Sequence, residues 1–343
     1  MKKSNKRRQA LLVVTTAISG SGRKEYLARL TKYAARHGRK IKCYHVGAMM
    51  LDHAQRVGIN LTRESVLNSH PSTIAAVRSA IFEKILGELH AARREYDAIF
   101  VNIHALFLWK NAFTRAWSHR YVSELDPDLV VTFAADVLAT QKSLAERHQW
   151  DGEKLDIKDL LYWRNVDIEM ASFAADLMGK KFYVVPSKSR EKLLYRLLFE
   201  PMAEKVYAAM PITHMQDPVK QKMVDRFIRR LEKHFIVFDP REIELVEQWM
   251  PAMRTNAVLG QIVNRDLYWF IRQVDRVVAY FPEPASSPGA VNEMLEARYT
   301  NKDVYLVYPE GNISPFLINS TKKVFRSTGE LWKFLAKQPS KVK

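Results

Sequence analysis

A chain of 343 residues with 47% apolar content is long enough for two ordinary domains, each with its own core. Its 54 Lys and Arg against 37 Asp and Glu give a formal net charge of +17, a balance suited to polyanionic partners such as nucleic acid or anionic nucleotides. No run of about 18 uncharged apolar residues occurs, so no membrane partner is expected. The single cysteine, Cys43, excludes an intrachain disulfide and a cysteine-based metal site.

The ten histidines are scattered without paired-ligand spacing, so no metal is expected. The basic start, Lys2 to Arg8, leads into a short strand-like segment with no signal-peptide cleavage pattern, and a cytoplasmic protein is the expectation. Elsewhere the cations are spread along the chain, with no helix-turn-helix, zinc-finger or aromatic RNA-binding signature. Nucleic-acid binding therefore rests on charge alone.

In chain order, Leu11-Leu12-Val13-Val14-Thr15 reads as a buried strand, Thr16 to Gly22 as a loop, and Lys24 to His37 as a helix with Leu27, Leu30 and Ala34 on one face. This is the layout of a phosphate-binding loop, whose pattern is GxxxxGK[ST]. The register here is Ala17-Ile18-Ser19-Gly20-Ser21-Gly22-Arg23-Lys24, with Ala for the first Gly, Arg for Lys and Lys for the hydroxyl residue that ligates magnesium. Ser19, Gly20, Ser21 and Gly22 are the expected nucleotide cradle. Arg23 would contact a phosphate as a fork of donors, and Lys24 would partly replace the missing point charge.

A second strand, Ile41 to His45, precedes a predominantly helical segment running from His45 to Ile85. Ala98 to Ala105 and, past a helical span, Asp126 to Phe133 read as further buried parallel strands. Strands alternating with helices argue for an open α/β sheet. The Gly-rich loop, VGAMMLDHAQRVGI, NIHA, LDPDLVV and AADLMGKKFYVV together make residues 10–186 resemble nucleoside monophosphate kinases, particularly archaeal-type adenylate kinases. The resemblance implies a site for ATP, ADP or AMP. It also implies a lid rich in arginine, where this chain reads Thr140 to His148, and an Asn-Arg pair near Asp167-Ile168. Those cations neutralise the transferring phosphoryl group, so the expectation is a degenerate kinase domain that binds a nucleotide without turning it over. His104 and Trp109 read either as site residues or as core.

Residues 187–202, with a Leu-rich helical stretch, read as a linker between domains. A second α/β pattern follows: a strand at Lys205 to Thr213, an amphipathic helix at Val219 to His234, strands at Phe235 to Pro240 and Arg276 to Tyr280, a helix at Asn264 to Gln273, and a closing strand at Asp303 to Tyr308. The segment Ala279 to Ala297 feeds a strand into a helix through Ser286, Ser287 and Gly289, a junction that favours anions through free N–H groups and the helix dipole. Residues 326–343 read as a C-terminal helix and basic tail, and residues 1–9 as a basic tail.

KVYAAMPIT, HFIVFDP, NRDLYWFIRQVDRVVAYF, SSPGAVNEMLEA and KDVYLVYP, in this order, make residues 203–325 resemble the nucleoside 2-deoxyribosyltransferase superfamily, including the 2'-deoxynucleoside 5'-monophosphate N-glycosidases. The resemblance implies Glu293 as the nucleophile at the anomeric carbon and Asp266 as the acid that assists the leaving base. It also implies that Ser287 touches a 5'-phosphate, and that the site is built at a homo-oligomer contact. The N-glycosidases place a phosphate-binding Arg after the first strand, where this chain offers Thr213 and His214. Tyr207 is a candidate for stacking on or hydrogen-bonding the substrate, and Asn292 joins the binding set.

Physically, Glu293 near a helix N-terminus would be kept ionised, and Asp266 among Leu267, Tyr268 and Trp269 would be held protonated, the division of labour of retaining glycosidases. Other readings stay open. Asp266 can cap the helix Leu267 to Gln273, Ser287-Pro288-Gly289 can be a turn, and Glu293 can pair with Arg298. The expected activity is cleavage or transfer of an N-glycosidic bond in a (deoxy)nucleotide or nucleoside without a cofactor. The alternatives are a non-catalytic nucleotide sensor, an NAD-type glycohydrolase and an active kinase.

Overall fold

The computed structural model describes residues 9–150, 152–212, 217–243, 260–261, 263–309 and 311–338. It is an α/β protein with two mostly parallel sheets flanked by helices. The chain divides into two compact units, the boundary falling between Lys192 and Leu193. Among the described residues no helix is long and apolar enough to cross a membrane.

The first unit holds β1 (Leu11–Thr16), α1 (Arg23–Arg36), β2 (Ile41–His45), α2 (Val46–Arg56), α3 (Pro71–Glu95), β3 (Ala98–Asn102), β4 (Leu106–Trp109), β5 (Ala112–Arg115), α4 (His119–Leu125), β6 (Leu129–Ala134), α5 (Val137–Ala145), α6 (Ile157–Leu177) and β7 (Lys181–Pro186). Five strands pair in parallel in the order β2-β3-β1-β6-β7. The central strands β1, β3 and β6 are almost wholly buried, which is why they read as unbroken apolar runs and not as alternating ones. α1 starts where Gly22 adopts φ 74, a left-handed conformation that costs glycine little. It then buries Tyr26, Leu27, Leu30 and Ala34 at helical spacing.

The fold refines one expectation and corrects another. The helical segment after β2 is two helices, α2 and α3, separated by a short 3-10 turn at Val66–Asn68. The span between β3 and β6 holds an antiparallel hairpin, β4 with β5, before the short α4. Lys110 and Asn111 turn that hairpin with φ 51 and 59, the pair of left-handed residues that a two-residue hairpin loop requires.

α7 (Glu191–Phe199) straddles the boundary. Within the second unit, Leu193, Leu194, Leu197 and Leu198 are buried and Arg196 donates to the carbonyls of Glu232, at 2.7 Å, and Phe235. The second unit continues with β8 (Lys205–Ala209), α8 (Pro218–Leu231), β9 (Ile236–Phe238), a π-helix (Asn264–Ile271), β10 (Arg276–Tyr280), α9 (Pro288–Tyr299), β11 (Asp303–Val307), α10 (Pro315–Asn319), β12 (Lys323–Phe325) and α11 (Thr328–Ala336). Its five strands are parallel in the order β12-β11-β10-β8-β9, the doubly wound arrangement whose switch point lies between β8 and β10.

Strand alternation sorts the second unit into two faces. Val206 and Ala208 join Val224, Phe227, Ile228 and Leu231 of α8 and Leu331, Trp332 and Leu335 of α11 in one core. Tyr207, between them in sequence, points to the other face, where α9 packs against β8, β10, β11 and the π-helix.

Candidate active site

At the switch point, Tyr207 is fully buried and its hydroxyl donates to Glu293 Oε1 at 2.9 Å. Glu293 lies one turn into α9, is 7% exposed, and its Oε2 has no hydrogen-bond partner among the described residues. α9 opens on Ser287, whose side chain caps the helix by accepting the Ala290 N–H at 3.3 Å. Ser286, Gly289 and Asn292 lie exposed along the same junction. Arg298 donates to the Asn319 carbonyl, so Glu293 is not its partner.

Asp266 sits inside the π-helix and caps nothing, since that helix starts from Val263 without a side-chain cap. The neighbouring Arg265, 3% exposed, grips it with two bonds, Nε to Oδ1 at 2.8 Å and Nη2 to Oδ2 at 2.9 Å. Consecutive residues on an α-helix do not face each other. The wider π-turn, a geometry frequent at functional sites, lets these two meet.

The electrostatics run against the expectation that the helix N-terminus keeps Glu293 ionised. Burial, and then the charge of Asp266, push the Glu293 carboxyl well above the usual carboxylate range, while the Tyr207 hydroxyl and the Arg265 guanidinium pull it back. The Tyr207 phenol is raised by burial and by Glu293 and Asp266. Burial thus favours the protonated form of Glu293, and Asp266 is the one tied into an ion pair. The helix dipole does not win because desolvation of a group nine-tenths buried outweighs a dipole worth about 1 kcal/mol.

Of the residues singled out in the sequence, the fold brings Tyr207, Asp266 and Glu293 together and leaves Ser286, Ser287, Gly289 and Asn292 along the α9 junction. Thr213 and His214 lie outside the described residues. Tyr207 contacts the acid, so its placement is that of a support for Glu293. Arg265 is a site residue that the sequence alone does not single out. The Arg-Asp doublet is visible in the chain, but its side-by-side pairing depends on the π-turn. Asp275 accepts the Lys205 N–H at 2.8 Å, an inter-strand tie.

The loop at Ala17 to Gly22 is differently built. Gly20 and Gly22 take φ 78 and 74. Arg23, expected on a phosphate, is 6% exposed and turned inward, its Nη1 donating to the carbonyls of Thr15, at 3.2 Å, and Ile103. Asp167 is buried near it, without an ion pair among the described residues: burial lowers the Arg23 guanidinium to about 10, against the pull of Asp167, and raises the Asp167 carboxyl to about 6, against the pull of Arg23. Ser19 is buried, Ser21 Oγ accepts the Arg23 N–H at 3.4 Å, and Lys24 is exposed.

Above the loop, a Cβ at Gly20 would stand 3.3 Å from Leu144 of α5 and from the Thr140 carbonyl. His104 bonds the Ala17 carbonyl at 2.8 Å and is pushed down to about 3 by burial and by Arg23. Trp109 donates to Asn68 at 3.2 Å and meets Trp150 edge-on. Both residues serve packing.

Comparison of the chain with protein-family models gives no matching family, and comparison with curated proteins gives no match.

Proposed function

We propose that the second unit cleaves or transfers the N-glycosidic bond of a nucleotide or nucleoside, with Glu293 as nucleophile. The observation behind this is the buried Glu293 carboxyl, one oxygen held by Tyr207 and the other without a partner, beside the Asp266–Arg265 pair at the switch point of a parallel sheet. An oxocarbenium-like transition state needs one carboxylate beside the anomeric carbon and a proton for the departing base. Glu293 and Asp266 are close enough to influence each other's charge, so they are read as sharing one proton.

In the proposed sequence, substrate entry moves that proton from Glu293 to Asp266. Glu293 Oε2 then bonds to the anomeric carbon as the carbon–nitrogen bond breaks, and the base leaves with the proton from Asp266. Water, or a second base, then attacks the anomeric carbon as its bond to Glu293 Oε2 breaks, and the proton the acceptor gives up returns to the Asp266 and Glu293 pair. No cofactor enters this sequence. Ser286, Ser287, Gly289 and Asn292 would hold the sugar or its phosphate at the α9 junction.

The first unit is proposed to bind ATP, ADP or AMP for regulation or assembly, using Lys24 and the loop N–H groups. A homo-oligomer is proposed from the resemblance to the deoxyribosyltransferases. The test is incubation of the protein with nucleoside monophosphates, deoxynucleosides and NAD, with free base measured by chromatography. Release that vanishes in Glu293→Ala while the circular dichroism spectrum persists supports the proposal. No release from any of them would instead favour a non-catalytic nucleotide sensor.

A further inference from the structure

The face of the second unit opposite Glu293 carries a row of cations that the glycosidic chemistry does not use. α8 reads PVKQKMVDRFIRRL and buries Val224, Phe227, Ile228 and Leu231 against the sheet. On its outer side Lys222, Arg226, Arg229 and, just past the helix, Lys233 are exposed. Among the described residues the side chains of these four make no ion pair or hydrogen bond. The flanking charges are already occupied: Lys220 pairs with Glu283 at 2.5 Å, and Asp225 with Arg241 at 2.9 Å. Arg230 lies over the Trp332 ring of α11 at 5.2 Å, and α11 adds exposed Lys333 and Lys337.

Spacings of four, three and four residues place the row along one line roughly 16 Å long at 1.5 Å rise per residue. The helix dipole accounts for Arg229, Arg230 and Lys233 near the C-terminus, but Lys222 and Arg226 lie away from it. Like charges one turn apart destabilise a helix by a few tenths of a kcal/mol per pair. The field is felt nearby, since His234, stacked on Trp332, is lowered by burial and by Arg230 and Lys233.

We propose that this outer face of α8 binds the phosphodiester backbone of nucleic acid, without reading base sequence. Regularly spaced cations match a regularly spaced polyanion, and counterion release supplies the affinity. An anionic membrane fits less well. A helix that lies in a bilayer interface inserts its apolar face, and the apolar face of α8 is inside the core.

The test uses the full chain and fluorescence anisotropy with short labelled duplex DNA, single-stranded DNA and RNA, in 50 to 200 mM salt. Wild type should bind at least one of them, with affinity falling steeply as salt rises, and the tightest arm identifies the acid. K222Q/R226Q/R229Q should weaken binding about tenfold or more and reduce the log–log salt slope by about 2 to 3, near 0.9 for each phosphate that is no longer neutralised. The control K32Q/R36Q/K84Q removes the same charge from exposed positions of the first unit and should leave affinity within about twofold, with both variants melting as wild type does. The proposal is overturned by no nucleic-acid binding, by equal weakening in the two variants, by an α8 variant that binds like wild type, or by binding to phosphatidylserine vesicles alone.

Discussion

The molecule contains two strand–loop–helix junctions of the anion-binding type, one at Thr16 to Arg23 and one at Tyr280 to Glu293, and they have different interiors. In the first, the cation is turned inward: Arg23 points away from the loop to the carbonyls of Thr15 and Ile103, both oxygens of the buried Asp167 are without a hydrogen-bond partner among the described residues, and Leu144 lies over Gly20. In the second, a carboxyl oxygen is left over: Glu293 Oε2 is buried without a partner beside an Asp266 that Arg265 holds in place. Both junctions thus have a buried carboxyl with an unpartnered oxygen, and what sets the second apart is a further acid, Asp266, ion-paired by Arg265 beside it. Family-like signatures in the sequence do not separate these cases. The orientation of two arginines does.

The sharpest break of this contrast is Glu293→Gln, which should reduce base release by about a thousandfold or more while leaving the melting temperature equal to or above wild type, because it removes a buried titratable group. Wild-type-like release in this variant would erase the difference between the junctions. On the other side, Arg23→Leu leaves Asp167 buried and alone. It should lower stability on the order of 3 kcal/mol, measured by denaturant unfolding, with no change in base release.

Asp167 sharpens the same point through pH. Its folded value of about 6 lies above the ordinary 3.8, so the native state binds more protons than the unfolded one in that window. Stability contributed by this group is full below about pH 4 and is lost as pH rises through about 6, a change on the order of 3 kcal/mol. Asp167→Asn should flatten that limb of the melting profile. A limb that persists would show the loop's charges to be unimportant to the fold.

At the second junction, Tyr207→Phe removes the O–H that favours the ionised Glu293, and should cut kcat/KM about tenfold. Because the Tyr207 bond lowers the Glu293 value, and the proton that Glu293 holds is the one the departing base takes, its loss should move the alkaline limb of the pH–rate profile further upward, with activity falling as pH climbs through it. An unmoved limb would separate Tyr207 from the proton balance. The smallest expected effect is Ser287→Ala, which loses one cap bond and about 1 kcal/mol in thermal melts, with any further rise in KM for monophosphates over nucleosides reporting a phosphate contact.

Much of this architecture is legible along the chain. The apolar runs at Leu11–Thr16, Leu129–Ala134 and Arg276–Tyr280 are strands because they are buried on both sides, and such runs look the same in sequence and in space. The hairpin Leu106–Arg115 is hidden in the sequence because its turn is Lys110-Asn111, without the glycine that usually marks one. Glu293 and Asp266 are legible as acids of a strand–loop–helix unit. Which of them keeps the proton is not, because desolvation depends on the packing of β8, β10, α9 and the π-helix around them.

The sequence by itself determined the two α/β halves, the order of their strands along the chain, and the residue types available at each junction, since these follow from local periodicity and turn chemistry. The tertiary structure alone decided direction and partnership. It turned Arg23 inward onto the carbonyl of Ile103, 80 positions later in the chain. It joined Arg265 to Asp266 through a π-turn, and it placed Tyr207 under Glu293 across 86 residues. Those contacts are long-range or depend on a non-standard helix, and neither distance nor helical pitch is encoded in a local pattern.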